Sequence, residues 1–205
     1  MHTNEEVMTG TTLLAVKTSN GVIIASDTRT SAGIYITSRI TNKLTEVEEK
    51  IYCLRSGSAA DTQTIVKVVK SRFKQHYLIG ESEPLVKDCA EIVSNIIYEY
   101  PQMLAGIIVA GYDNVEKGSI YSIGLGGVLL KKNFAIGGSG SIFLYSLFDS
   151  MYKEDMSDEE KFEFAKKAVA LAIKRDNASG GCVRLSVIKN EGVEKYYFPI
   201  SEITI

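Results

Sequence analysis

The sequence predicts an α/β (α+β) fold, a four-layer αββα sandwich in which two antiparallel sheets are flanked by helices. Three observations point to it. The predicted elements run strands, two helices, strands, two helices, strands, an order that buries both kinds of element when helix pairs cover stacked sheets. The 205 residues are 45% hydrophobic and 23% charged, which is ordinary globular composition with enough chain for a sizeable core. With 3 prolines and no Ser/Pro/Gly-rich linker, nothing divides the chain into two domains. Parallel βαβ alternation fits this order less well.

Thr12 to Lys17, Gly21 to Ser26 and Ile51 to Leu54 are expected as short strands, rich in Val and Ile and bounded by turn residues such as Asn20-Gly21. A helix follows from Ala59 to about Tyr77. A second runs from Pro84 to Tyr100, where Leu85, Cys89, Ile92, Val93, Ile96 and Ile97 recur at three- and four-residue spacing and form one apolar face. Strands return at Ala105 to Ala110, Ser119 to Ile123, Val128 to Lys131 and Phe134 to Ile136. The turn Gly137-Gly138-Ser139-Gly140-Ser141 leads into a helix over Ile142 to Tyr152. Ser157-Asp158-Glu159-Glu160 is a capping box that opens a further helix through Phe164, Ala168, Val169, Ala172 and Ile173. That helix is expected to end near Gly180-Gly181, which suit C-terminal capping. Cys182 to Ile188 and Val193 to Phe198 close the chain as a hairpin turned at Asn190-Glu191-Gly192.

Several function classes are excluded early. The net charge is -2 and no basic block appears, so nucleic acid and anionic membrane are poor partners. The leader Met1 to Gly10 carries Glu5 and Glu6 and no apolar centre, so it does not read as a secretory signal, and no apolar run approaches membrane-spanning length. The cysteines, Cys53, Cys89 and Cys182, are scattered and odd in number, with no CxxC pair for zinc and no disulfide framework. A reducing compartment suits them, and the Asn177-Ala178-Ser179 sequon is then a chance match. The histidines, His2 in the leader and His76 on a helix surface, are far from any G-x-S-x-G elbow. The glycine-rich stretches at 124–127 and 137–140 lack phosphate-loop spacing and read as turns.

A hydrolase without histidine needs another base. A threonine hydroxyl can use its own N-terminal amine, whose pKa near 8 lets it hold or release a proton at neutral pH. In this sequence such chemistry requires a cut between Gly10 and Thr11, because an amide nitrogen is not basic. Glycine suits the cut, having no side chain to obstruct attack on its own carbonyl. On spacing alone Gly10-Thr11-Thr12 reads as a chance tripeptide, and Asp27 with Lys43 as a surface ion pair.

Longer patterns extend the reading. Thr11-Thr12-x-x-Ala15-Val16, then Gly21-Val22-x-x-Ala25-x-Asp27-x-Arg29-Thr30, Asn42-Lys43-Leu44, Arg55-Ser-Gly-Ser-Ala-Ala-Asp61, Ala105-Gly-Ile-Ile-Val-Ala-Gly111, Ala135-Ile-Gly-Gly-Ser-Gly140, and Arg175-Asp176 with Ser179-Gly-Gly181 all occur in order. Together they resemble a mature proteasome β subunit over nearly all of the chain from Thr11 to about Phe198. Among β subunits the chain is most similar to the catalytic caspase-like type, with Arg55 as the telling feature.

The resemblance implies an N-terminal nucleophile hydrolase, with residues 1–10 a propeptide and 11–205 the catalytic domain. By matched position, Thr11 is the nucleophile, Lys43 lowers the pKa of its hydroxyl, and Asp27 fixes Lys43. Ser139, Asp176 and Ser179 surround the threonine amine and order the catalytic water. Gly57 offers its N–H to the oxyanion. The backbones of Ser31, Gly57 and Ala59 align the substrate as an added strand, and Arg55, Thr30, Thr41 and Thr62 line the specificity pocket. Ser31 stands where the family commonly has a second threonine, and the leader is short for this subunit type. The implied function is cleavage after acidic residues within ATP- and ubiquitin-dependent protein degradation. No cofactor and no metal are implied. The implied partners are other α and β subunits of a 20S barrel, unfolded polypeptide substrates, assembly chaperones and regulatory caps, in cytoplasm and nucleus. A non-catalytic ring subunit and a self-compartmentalised bacterial-type threonine protease or amidase are the rival readings.

Overall fold

The computed structural model describes residues 10–33, 35–79 and 83–204, apart from the side chains of Ala32, His76 and Ile79. The leader before Gly10 and the setting of His76 therefore lie outside the described residues. Two five-stranded antiparallel sheets stack face to face. The first has the order β10-β1-β2-β11-β12 and the second β5-β6-β7-β8-β9. Their strands are β1 (Leu13–Lys17), β2 (Gly21–Ser26), β5 (Leu44–Glu48), β6 (Ile51–Gly57), β7 (Ala105–Asp113), β8 (Lys117–Ile123), β9 (Leu129–Lys131), β10 (Phe134–Gly137), β11 (Cys182–Lys189) and β12 (Gly192–Pro199). A small hairpin, β3 (Thr30–Ala32) with β4 (Tyr35–Ser38), projects between β2 and β5.

The strands read as continuous apolar runs because both of their faces are covered. Leu13 and Ala15 of β1 enter the layer between the sheets, whereas Leu14 and Val16 enter the layer under a helix pair. In β7 the same alternation sends Ile108 and Ala110 to the inter-sheet core and Ile107 and Val109 to the opposite one. Helices α1 (Ala59–Ile79) and α2 (Val86–Glu99) cover the second sheet through Ile65, Val69, Phe73, Val93 and Ile97. Helices α3 (Ser141–Met151) and α4 (Asp158–Arg175) cover the first through Leu144, Phe148, Ala165 and Val169. Helix pair, sheet, sheet, helix pair is the four-layer sandwich expected from element order.

The Ser157–Glu160 capping box forms as expected, with both reciprocal hydrogen bonds present. Two local expectations are corrected. Helix α4 stops at Arg175 rather than near Gly180-Gly181: Asp176 leaves the helix (φ -83°, ψ 109°) and its carboxylate takes the N–H of Ala178, a side-chain turn that competes with another helical turn. The last hairpin turns on two residues, Asn190-Glu191, with Gly192 already paired to Lys189 in the ladder. The strands β3, β4 and β5 carry no visible period-two signal. In β5 a register shift between Glu46 and Glu48 puts buried Leu44 and Val47 three residues apart.

Candidate active site

Thr11 lies immediately before β1, at the mouth between the two sheets, and is 5% exposed. Two strand ends and two turns converge on it. From the end of β2 comes Asp27, which is fully buried. Its Oδ1 accepts the Lys43 ammonium at 2.7 Å and the Thr12 N–H at 2.9 Å, and its Oδ2 accepts the N–H groups of Gly180 (3.1 Å) and Arg29 (3.2 Å). Four donors thus satisfy this carboxylate in a place where an unpaired one would be very costly.

Lys43 enters from the segment leading into β5. Its Nζ has three donors and uses each: Asp27 Oδ1 at 2.7 Å, the Gly10 carbonyl oxygen at 2.8 Å and Thr11 Oγ1 at 3.0 Å. The Thr11 hydroxyl in turn donates to the Gly10 carbonyl at 2.6 Å. Burial pushes the Lys43 ammonium below its ordinary 10.5, and the contact with Asp27 opposes this without cancelling it.

Behind Thr11 is a chain of hydroxyls ending on Asp176. Both Ser139 Oγ and Ser179 Oγ reach its Oδ2 at 2.7 Å. A carboxylate only accepts, so both serine protons point to it. Ser139 Oγ is then free to accept the Thr11 N–H at 3.1 Å, and Ser179 Oγ accepts from Thr12 Oγ1 at 2.8 Å. Burial works to raise the Asp176 carboxyl, but these hydroxyls and the nearby backbone N–H groups outweigh it and leave the pKa lowered. The Gly140 N–H fixes the Thr11 carbonyl at 3.1 Å.

In front of Thr11 is a cavity of about 180 Å³. Of the residues expected there, Thr30, Ser31, Thr41, Arg55, Gly57, Ala59 and Thr62 all line it, together with Gly10, Thr11 and Lys43. Ser139, Asp176 and Ser179 do not; they lie on the far side of Thr11. Arg55 is held from behind: its Nε donates to Thr45 Oγ1 at 2.8 Å and its Nη2 to the Asn42 carbonyl at 2.9 Å. Among the described residues no carboxylate pairs with it. Gly57 has φ +106°, and a Cβ there would stand 2.2 Å from the Leu104 carbonyl oxygen, so the position requires glycine.

This arrangement holds a hydroxyl beside a buried cation, with an acceptor network at the adjoining nitrogen and a polar cavity carrying a guanidinium that, among the described residues, has no carboxylate partner. Sequence reasoning missed Thr12, whose N–H and hydroxyl tie Asp27 to Ser179, and also Asn42 and Thr45, which aim Arg55. It missed Thr37, Ser38 and Gln63 in the cavity wall. Thr12 carries no local signal, since Ser179 is 167 residues away, and Thr45 carries none because the bulged strand that sets it beside Arg55 has no regular period. Among the described residues no cluster of three or more His, Cys, Asp or Glu is arranged to hold a metal, and no helix is long and apolar enough to cross a membrane.

The family model described as proteasome subunit matches residues 7–188. The chain belongs to the proteasome β-subunit family. The β assignment comes from its relatives. It is 48% identical over 199 residues to the probable proteasome subunit beta type-1 of Encephalitozoon cuniculi, a match covering 97% of each chain. It is 46% identical over 191 residues to the proteasome subunit beta type-6 of Dictyostelium discoideum, covering 93% of this chain and 89% of that one. It is 45% identical over 194 residues to the proteasome subunit beta type-1 of Saccharomyces cerevisiae, covering 94% and 90%. A proteasome subunit works in assembly with other subunits, within a protein-degrading complex, and the sandwich described above is consistent with the N-terminal nucleophile hydrolase fold.

Proposed function

We propose that this β subunit is a threonine-type endopeptidase, with Thr11 as nucleophile and a preference for acidic residues before the cut bond. The carrying observation is the three-way donation by Lys43 Nζ, which joins Asp27, Thr11 Oγ1 and the Gly10 carbonyl in one buried contact.

The same contact supports self-cleavage after Gly10. The ammonium polarises the Gly10 carbonyl while the Thr11 hydroxyl lies beside it. Attack of Oγ1 on the Gly10 carbonyl carbon, with loss of the Thr11 nitrogen, converts the amide to an ester; water then hydrolyses the ester. Residues 1–10 leave as a propeptide and the Thr11 amine is freed where Ser139 already stands at 3.1 Å. That amine accepts the hydroxyl proton as Oγ1 attacks a substrate carbonyl. The developing oxyanion meets the Gly57 N–H, because alternate N–H groups of a strand point the same way and that of Arg55 points to Lys43 O at 3.1 Å. The tetrahedral intermediate expels the substrate amine, which takes the proton, and leaves an acyl ester on Thr11. Water, deprotonated by the same amine, releases the acid product.

Substrate would lie as a strand between the free edge of β3 at Ser31 and the Gly57–Ala59 backbone, since both line the cavity. The Arg55 guanidinium, desolvated and lacking a carboxylate of its own, suits an acidic side chain entering there. The test is labelling of assembled particles with an epoxyketone bearing an acidic residue at its reactive end. The reading expects the adduct on Thr11 of this chain, and Thr11→Ala abolishes it; an adduct confined to other subunits refutes it.

A further inference from the structure

Thr12 follows the nucleophile and carries a second hydroxyl that the reaction described above does not use. It is fully buried, and the four residues after it, Leu13 to Val16, are buried and apolar. A valine of the same shape would fill the position with no polar group to satisfy. Space is kept for the hydroxyl: a Cβ on Gly140 would stand 2.0 Å from Thr12 Oγ1.

The direction of its hydrogen bond is fixed by its neighbours. Ser179 Oγ, 2.8 Å away, gives its own proton to Asp176 Oδ2 at 2.7 Å, so the Thr12 hydroxyl is the donor. From the other side Ser139 Oγ donates to the same oxygen at 2.7 Å and accepts the Thr11 N–H at 3.1 Å. Asp176 Oδ2 is therefore shared by two hydroxyls, one leading to Thr12 and the other to the reacting nitrogen. The Thr12 N–H separately donates to Asp27 Oδ1 at 2.9 Å, beside Lys43. A side-chain substitution at Thr12 keeps that backbone donor, so it tests the Asp176 branch of the site without removing a partner from the Asp27–Lys43 branch.

We propose that the Thr12 hydroxyl is a positioning group that helps keep the freed Thr11 amine unprotonated at neutral pH, by drawing the Asp176 charge toward Ser179 and away from Ser139. Hydrogen bonds in a chain polarise one another in a dry site. With Thr12 donating to it, Ser179 is the stronger donor to Asp176, and Ser139 feels less of the carboxylate. Without Thr12, Oδ2 draws harder on the Ser139 proton, Ser139 Oγ accepts more strongly from the Thr11 nitrogen, and the ammonium is favoured. An ammonium has no lone pair with which to take the Thr11 hydroxyl proton. The other charged groups around the nitrogen are Lys43 and Asp27, beside Oγ1, and Arg55 across the cavity, and Thr12 Oγ1 bonds to none of them. The inference rests on the reading of Thr11 as nucleophile.

The test is the pH profile of kcat/KM for an acidic peptide reporter, measured on assembled particles with the other active sites inhibited. The acid limb is set by the amine, whose ordinary pKa is about 8. For Thr12→Val this limb is expected to move up by roughly half a pH unit, a loss of about threefold below the limb that disappears above it. Thr12→Ser restores the wild-type limb, and Thr12→Cys, a weak donor, falls between. If Thr12→Val does not assemble, Thr12→Cys against Thr12→Ser carries the same comparison. A Thr12→Val profile superimposable on wild type, a loss equal at every pH, or a Thr12→Ser limb displaced as far as that of Thr12→Val overturns the proposal. Labelling of wild-type particles with an acidic epoxyketone separates the two readings. An adduct on Thr11 with an unmoved limb overturns only the role of Thr12, whereas no adduct overturns the nucleophile assignment as well.

Discussion

Nζ of Lys43 stands 3.0 Å from Oγ1 of Thr11, joining positions 32 residues apart at the buried mouth between the two sheets. A cation at that distance stabilises the alkoxide more than the hydroxyl. Lys43→Ala should therefore lower turnover of an acidic peptide reporter by roughly a hundredfold or more, in the range seen when one preorganised donor is lost. Lys43→Arg should fail as well, because a planar fork cannot direct three donors at Asp27, Thr11 and Gly10. The assay uses intact particles with the other active sites inhibited. Near-wild-type turnover by Lys43→Arg contradicts the role.

The pH dependence follows from the same burial. The folded pKa of Lys43 is below 10.5, so the ammonium is lost earlier than an exposed lysine would lose it. Activity should fall on the alkaline side before the ordinary lysine range. For stability the sign is the reverse. Between the folded pKa and 10.5 the unfolded chain binds the extra proton, so rising pH relieves the cost of burying this charge. Asp176 acts at the other end. Its folded pKa lies below 3.8, so its contribution is present above 3.8 and is lost as pH falls through the folded value. Thermal melting of Asp176→Asn against wild type through the acid range checks this: the gap between them should close as pH falls.

Gly10 is held where no other residue fits. A Cβ on it would stand 1.9 Å from the Ala178 carbonyl oxygen, in the turn that carries Asp176 and Ser179. Gly10→Val should displace that turn and leave the bond between residues 10 and 11 uncut. Intact mass of the subunit from assembled particles reads the outcome, and normal removal of the leader from Gly10→Val would count against self-cleavage in this geometry.

Arg55 predicts specificity. Arg55→Met should reduce kcat/KM for reporters with Glu before the cut by roughly ten- to a hundredfold, the value of one hydrogen bond to a charged group. Cleavage after apolar residues should rise, and labelling of Thr11 should persist. Thr45→Val, which removes the acceptor of Arg55 Nε, should give a smaller loss of the same kind. Unchanged use of acidic reporters by Arg55→Met rules the arginine out as the determinant.

Much of this was legible in the sequence because burial on both faces leaves a plain record. Strands β1, β2, β6 and β7 are continuous apolar runs, and their order with the helix pairs specifies the layers. Thr11, Asp27, Lys43, Ser139, Asp176 and Ser179 were legible through the ordered motifs around them. The polar hairpin β3–β4 and the bulged β5 were not, since their side chains obey no simple period. Nor were Thr12, whose importance lies in a hydrogen bond to Ser179 across 167 residues, and Thr45, which meets Arg55 only once the bulged β5 pairs with β6. The end of α4 was misplaced because Asp176 stops the helix with its own side chain, a stronger local device than the glycines that follow.

The central claim is that Thr11 becomes a free N-terminal nucleophile. The most direct measurement is intact mass and peptide mapping of this subunit from assembled particles treated with an acidic epoxyketone. The account predicts a chain that begins at Thr11 and carries the adduct on that residue alone. A chain that retains Gly10 and carries no adduct would contradict it.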